Sequence, residues 1–391
     1  MKINKITILY ICTLVWTAAI NAQPTINTNK KDGGYTFTMK KTVGCTDVKN
    51  QYKSGTCWSY STQSFLESEV MRNKKINIDL SEMFVVRNTY IQKAISFLRY
   101  QGTTNFSAGG EPHDVINTVR EYGIVPQEVY SGMPAGQTKP EHGEIDRVLK
   151  AMLDAMVKLP DGKLNPNWKA AFLGALNGYM GAAPDIFTYE GKTYTPLSFA
   201  KYLGINADDY VEITSFTHHP FYTEFIMEVS DNWSNSPIYN VPLEDLKRIA
   251  DNALTNNYSI EWASDVSEKG FNFKNGLAIV PEKNYDDMTQ AEKDSMFTKP
   301  DKEKVITQQM RQEAFDNLTT TDDHGMQMVG MAKDQDGHDY YLVKNSWGTD
   351  RNDLGGYFYC SAPYFMFKTT SIMVNKNAIP KDIASKMGIK L

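Results

Sequence analysis

The stretch Gln51–Ser61, QYKSGTCWSYS, sets a single cysteine directly before a tryptophan, with a glutamine six positions upstream and small residues between them. A lone cysteine has three ordinary readings: a small buried apolar residue, half of a disulfide, or a nucleophile. Residues 50–55 are loop-like, whereas from Cys57 onward Trp58, Phe65, Leu66, Val70 and Met71 recur at three- and four-residue spacing. That spacing predicts a helix with one buried face and Cys57 at its start. Free backbone N–H groups and the helix dipole favour a thiolate there. The choice then turns on whether the rest of the chain offers a base.

Thiol chemistry needs a base and a third group that holds the base in one tautomer. Of six histidines, His324 stands in DDHGMQMVGM at the mouth of a strand-like run, and Asn345 opens NSWG at the end of another. His113, His142 and His338 read as solvated loop residues, and His218 and His219, in THHPFY, as surface groups. No Cys/His spacing of zinc type is present, so neither a metal nor a cofactor is implied.

Gln51, Cys57-Trp58, His324-Gly325-Met326 and Asn345-Ser346-Trp347-Gly348, in that order, resemble the papain superfamily of cysteine peptidases. The segments SGTCW, LSEMFVVRNTYIQKA, GGEPHDVINTVREYGIVP and YSIEWASDVSEKGF are similar to its bleomycin hydrolase and aminopeptidase C branch, over about residues 44 to 374. The resemblance implies Cys57 as nucleophile, a thiolate beside protonated His324. Asn345 would orient the imidazole, and Trp58 and Trp347 would support the site, Trp347 by shielding the His–Asn bond. Gln51 and the Cys57 N–H would form the oxyanion hole. It further implies peptide contacts at Gly109, Gly110 and the Asp323 carbonyl, and a pocket built partly by Trp262, Ala263 and Ser264. Relatives of this branch form hexamers, so a homo-oligomer is expected.

The helical pattern continues at 81–99, capped by Ser81, and in VINTVREYG, ended by Gly123; helices broken by Pro160, Pro166 and Pro184 follow over 143–203. Short β-branched and aromatic runs come later: YSIEWASDV, GMQMVGMAK, YYLVKNSW and GYFYCS. The expected fold is α+β and papain-like, a helical lobe and a β-barrel-like lobe with a helical insertion. The chain divides into a signal peptide (1–22), a loosely structured lead (23–44), the helical lobe with the nucleophile (45–130), the helical insertion (131–255), the β-rich lobe with His and Asn (256–374) and a tail (375–391).

Lys2 and Lys5, an apolar run from Ile6 to Ile20 and small residues up to Ala22 predict export and cleavage before Gln23, leaving a chain free of the membrane in the periplasm or outside the cell. Removing them moves the formal charge from −5 to −7, because two lysines leave. With no dense basic block, nucleic acid is not an expected partner; peptides are. Cys45 and Cys360 stay open between buried thiols and a disulfide. The tail after Val374 has seventeen residues and lacks the Trp- and Pro-containing arm that makes the branch aminopeptidases. Amino-terminal trimming, internal cleavage and a binding protein that kept the fold therefore all remain readings of the sequence.

Overall fold

The computed structural model describes residues 27–134, 136–159 and 162–391. The predicted signal peptide with Cys12, and the helix-breaking Pro160, lie outside them. The lead is more ordered than expected: β1 (Thr38–Thr42) pairs antiparallel with the strand that begins at His324. Just ahead of it Tyr35 and Phe37 are buried, and Phe37 stacks on Tyr359 with ring centroids 3.7 Å apart. The alternating run YTFTM carried that signal.

The helical lobe is built from α1 (Cys57–Lys74), α2 (Glu82–Arg99) and α3 (Pro112–Tyr122). Ser81 caps α2 as predicted, its Oγ accepting from Phe84 N at 3.0 Å, and Gly123 ends α3 at φ 82°. Three more helices, α4 (Gly143–Val157), α5 (Trp168–Met180) and α6 (Pro196–Leu203), add Leu149, Phe172, Leu176 and Phe199 to the same core. The span 131–255 is not helical throughout. It carries a hairpin, β2 (Phe187–Tyr189) and β3 (Lys192–Tyr194), and then β4 (Tyr210–Thr214), β5 (Glu224–Ile226) and β6 (Pro237–Asn240) before α7 (Leu243–Thr255). Strands of three to five residues are too short to show a period.

The second lobe holds β7 (Ile260–Ser264), β8 (Phe271–Asn272), β9 (Leu277–Ala278), β10 (His324–Lys333), β11 (Asp339–Lys344), β12 (Tyr357–Ser361) and β13 (Thr369–Asn375). They join one sheet in the order β5-β6-β4-β13-β7-β10-β11-β12-β9-β8, with β1 on β10. Flanking it are α8 (Gln290–Ser295), α9 (Gln308–Asp316), α10 (Ala362–Lys368) and α11 (Lys381–Lys386).

Helix α1 is clamped between the lobes, against α2 and α3 on one side and β7 and β10 on the other. Consequently every residue from Trp58 to Val70 is buried, not one face alone. Its polar groups are paired across the junction: Ser61 Oγ donates to Glu261 Oε1 (2.8 Å) and Ser64 Oγ to Gln327 Oε1 (2.6 Å). Glu67 accepts from Lys49 Nζ (2.9 Å) and Leu80 N (2.8 Å). Residues 375–391 are no loose tail. Ile383, Ala384 and Met387 pack into the core that α7 covers, and Arg248 bonds Asp382 at 2.9 Å. Cys45 and Cys360 are buried, unpaired thiols, 3.5 Å from Tyr357 Oη and the Ser361 carbonyl respectively.

Candidate active site

The loop before α1 is tied to the loop after β11: Gln51 N donates to Ser346 O (2.8 Å), and Gly348 N to Lys49 O (3.1 Å). Ser346 Oγ donates to Gln51 Oε1 at 2.6 Å. That bond fixes the amide orientation and leaves Nε2 without a partner among the described residues. Cys57, half-buried, is the first residue of α1. Trp58 donates from Nε1 to the Ala108 carbonyl at 2.9 Å, holding the Gly109-Gly110 loop against the helix.

His324 opens β10, and β10 pairs with β11 so that Gln327 lies opposite Lys344. Asn345, one residue past that pair, thereby comes beside His324: His324 Nε2 stands 2.7 Å from Asn345 Oδ1. An amide oxygen can only accept, so Nε2 carries a proton and Nδ1 is left for the thiol side. Trp347 stacks on the imidazole at 4.7 Å and 28°, backed by Phe271 and Phe273.

A cleft of about 280 Å³ runs past Cys57 and His324, walled by Trp58, Gly110, Ala263 and Gly325. Gly109 and Gly110 need to be glycines. A Cβ on Gly109 would lie 1.8 Å from the Asp231 carboxylate, and one on Gly110 would lie 3.0 Å from the Trp58 ring. Trp262 is not in this cleft. Side chains alternate along β7, so Ala263 and Glu261 face the cleft while Trp262 points into the sheet core and donates to Thr369 Oγ1 at 2.8 Å. The Asp323 carboxylate turns outward and accepts from Ser267 N at 3.1 Å.

Burial acts against the expected ion pair. Burial pushes the Cys57 thiol up to about 12, helped by the Asp322 and Asp231 carboxylates, while hydrogen bonds from the Gly325 and Trp58 backbone oppose the rise. Burial also pulls His324 down to about 4, against its bond to Asn345 and the charge of Asp323. In the unliganded cleft, loss of water thus favours the neutral form of both groups.

Several acidic side chains were not singled out from sequence: Glu111, Asp231, Glu261 and Asp322 also line the cleft. Glu111 follows Gly110 and Asp322 precedes Asp323, so motif adjacency was the available signal; Glu261 follows from strand alternation. His113 is buried in α3 with Nδ1 2.9 Å from Glu212, and His142 is buried beside Tyr90; neither is a solvated loop group. Of two sets with metal-ligand geometry among the described residues, Glu67, Asp79 and Glu82 already hold the Lys49 ammonium. The other, His218, His219 and Glu228, lies at the surface and does not line the cleft.

Residues 187–390, just over half of the chain, match the family described as Peptidase C1-like, and residues 36–161 match the papain family cysteine proteases. The chain is 25% identical to Aminopeptidase G of Lactobacillus delbrueckii subsp. lactis over 86% of its own length and 82% of the relative's. It is 22% identical to Aminopeptidase C of the same organism over 91% and 84%. The crystal structure of PepW from Lactobacillus rhamnosis HN001 superposes with a TM-score of 0.70 at 21% identity, covering 90% of this chain and 84% of that one.

Proposed function

Because the chain belongs to the Peptidase C1-like family, as a papain-type cysteine peptidase of the aminopeptidase C group, we propose that it is an exported aminopeptidase that trims short peptides from the amino end. The observation that carries the chemistry is the 2.7 Å His324–Asn345 bond beside Cys57 at the start of α1. In this reading His324 Nδ1 takes the Cys57 proton as sulfur attacks the scissile carbonyl, forming the C–S bond of a tetrahedral intermediate. The oxyanion accepts from Gln51 Nε2 and the Cys57 N–H. On collapse the C–N bond breaks, the imidazolium returns the proton to the leaving amine, and a thioester remains. Water, deprotonated by His324, then releases the acid and restores the thiol. Trp347 keeps bulk water off the His324–Asn345 bond throughout.

Amino-end trimming is supported by the relatives named aminopeptidases. Export is supported by the sequence of residues 1–22. One mid-length peptide, incubated free and N-acetylated and followed by mass spectrometry, tests the first: stepwise loss from the free form alone is expected. Internal cleavage of the acetylated form would make this an endopeptidase, and no cleavage of either under reducing conditions would favour a binding protein. The mass of the protein recovered outside the cytoplasm tests export, with a chain starting at Gln23 expected.

A further inference from the structure

Four carboxyl side chains line the cleft beside Cys57: Glu111, Asp231, Glu261 and Asp322. Glu111 and Glu261 are 1% and 0% exposed; Glu111 shares a carboxyl–carboxyl hydrogen bond with Asp322, and no N–H or hydroxyl donor among the described residues reaches Glu111 Oε1 or Glu261 Oε2. No lysine or arginine is among the cleft's lining residues. The nearby cations are committed elsewhere: Lys93 donates to the carbonyls of Ser107 and Gly109, and His113 pairs with Glu212. Buried acceptors left unmatched are costly unless something that visits the site satisfies them. The visitor must bring positive charge and N–H donors into a narrow slot within one residue of the sulfur.

A peptide's free α-ammonium meets that description, since its nitrogen is only two bonds from the carbonyl carbon that sulfur attacks. Residues 375–391 place no group there; they line none of the cleft and pack beside α7. We propose that Glu111 and Asp322, backed by Glu261 and Asp231, form the receptor for the α-ammonium of the substrate's first residue. This rests on the aminopeptidase reading and supplies its missing recognition element. Burial holds Glu111, Glu261 and Asp322 above the ordinary carboxyl range. An arriving ammonium offsets the Asp322 and Asp231 charges that oppose the Cys57 thiolate. The substrate's own charge thus helps to activate the nucleophile.

The test uses the full chain, its Glu111→Gln and Asp322→Asn variants, and a form lacking Lys390 and Leu391. Substrates are alanyl anilide, N-acetyl-alanyl anilide and N-acetyl-lysyl-alanyl anilide. Each carboxyl variant is expected to lose about 30-fold or more in kcat/KM on alanyl anilide, mainly through KM, as when a desolvated charge pair loses one partner. Turnover by the shortened chain is expected to be unchanged. Retention of the wild-type preference for the free amine in both variants would overturn the proposal. So would loss of that preference on removing Lys390 and Leu391, or fastest cleavage of the lysyl substrate, which would assign the pocket to a basic side chain.

A second readout is independent of turnover: the rate of Cys57 modification by aminoethyl methanethiosulfonate relative to methyl methanethiosulfonate. The cationic reagent is expected to lead in the wild type and to lose that lead in both variants; equal wild-type rates would refute the receptor. A wild type that prefers the cation but cuts no peptide would sink the aminopeptidase reading while leaving the cation site standing.

Discussion

Ser346→Ala isolates what a single tether contributes to catalysis. Ser346 Oγ reaches Gln51 Oε1 at 2.6 Å and is the only side chain holding that amide among the described residues. Without it, Gln51 keeps its donor but loses its fixed orientation, at a cost of about 1 kcal/mol for one hydrogen bond. That corresponds to a fall of roughly 5-fold in kcat/KM. Gln51→Ala removes the donor itself, and loss of one oxyanion donor typically lowers kcat by about 10² to 10³. Because the serine acts only through the glutamine, the double variant should match Gln51→Ala alone. Initial rates on alanyl anilide for the four proteins close the cycle. If the two effects multiply, Ser346 acts on something other than Gln51 and the tether argument is wrong.

Three further outcomes concern stability. Lys49→Met leaves the buried carboxylates Glu67 and Glu82 without their cation, and urea unfolding should show a loss of about 3–5 kcal/mol; a loss below 1 kcal/mol would contradict it. Burial lowers His142 to about 4, so between pH 6.5 and 4 the unfolded chain binds a proton that the native protein does not. Stability therefore falls as pH drops through that window, by at most about 3 kcal/mol from this group. His142→Phe should gain on the wild type progressively between unfolding series at pH 7 and pH 4.5, and a pH-independent difference would refute the assignment. Phe37→Ala should cost about 3–5 kcal/mol through the lost stack on Tyr359; a near-neutral thermal shift would mean that the lead is not part of the core.

The grouping of Cys57, His324 and Asn345 was legible because motif residues lie at element ends: Cys57 opens α1, His324 opens β10 and Asn345 follows β11. What escaped was set by tertiary surroundings. The sequence of α1 does not announce that a second lobe will bury its polar face, and nothing local tells a reader that His113 meets Glu212, ninety-nine positions away. Trp262 was misplaced by a single residue of strand register, which is enough to reverse a side chain's direction. The burial that acts against a thiolate is equally non-local. A helix start is a local feature, whereas the desolvation that raises the thiol comes from walls contributed by four distant segments.

The way α1 is clamped has a mechanical consequence. A helix whose serines bond to Glu261 and Gln327 across the junction acts as a rivet between the lobes. Prising them apart would strip those groups of partners in one motion, so the slot beside Cys57 is set when the chain folds, and a peptide threads into it as it stands.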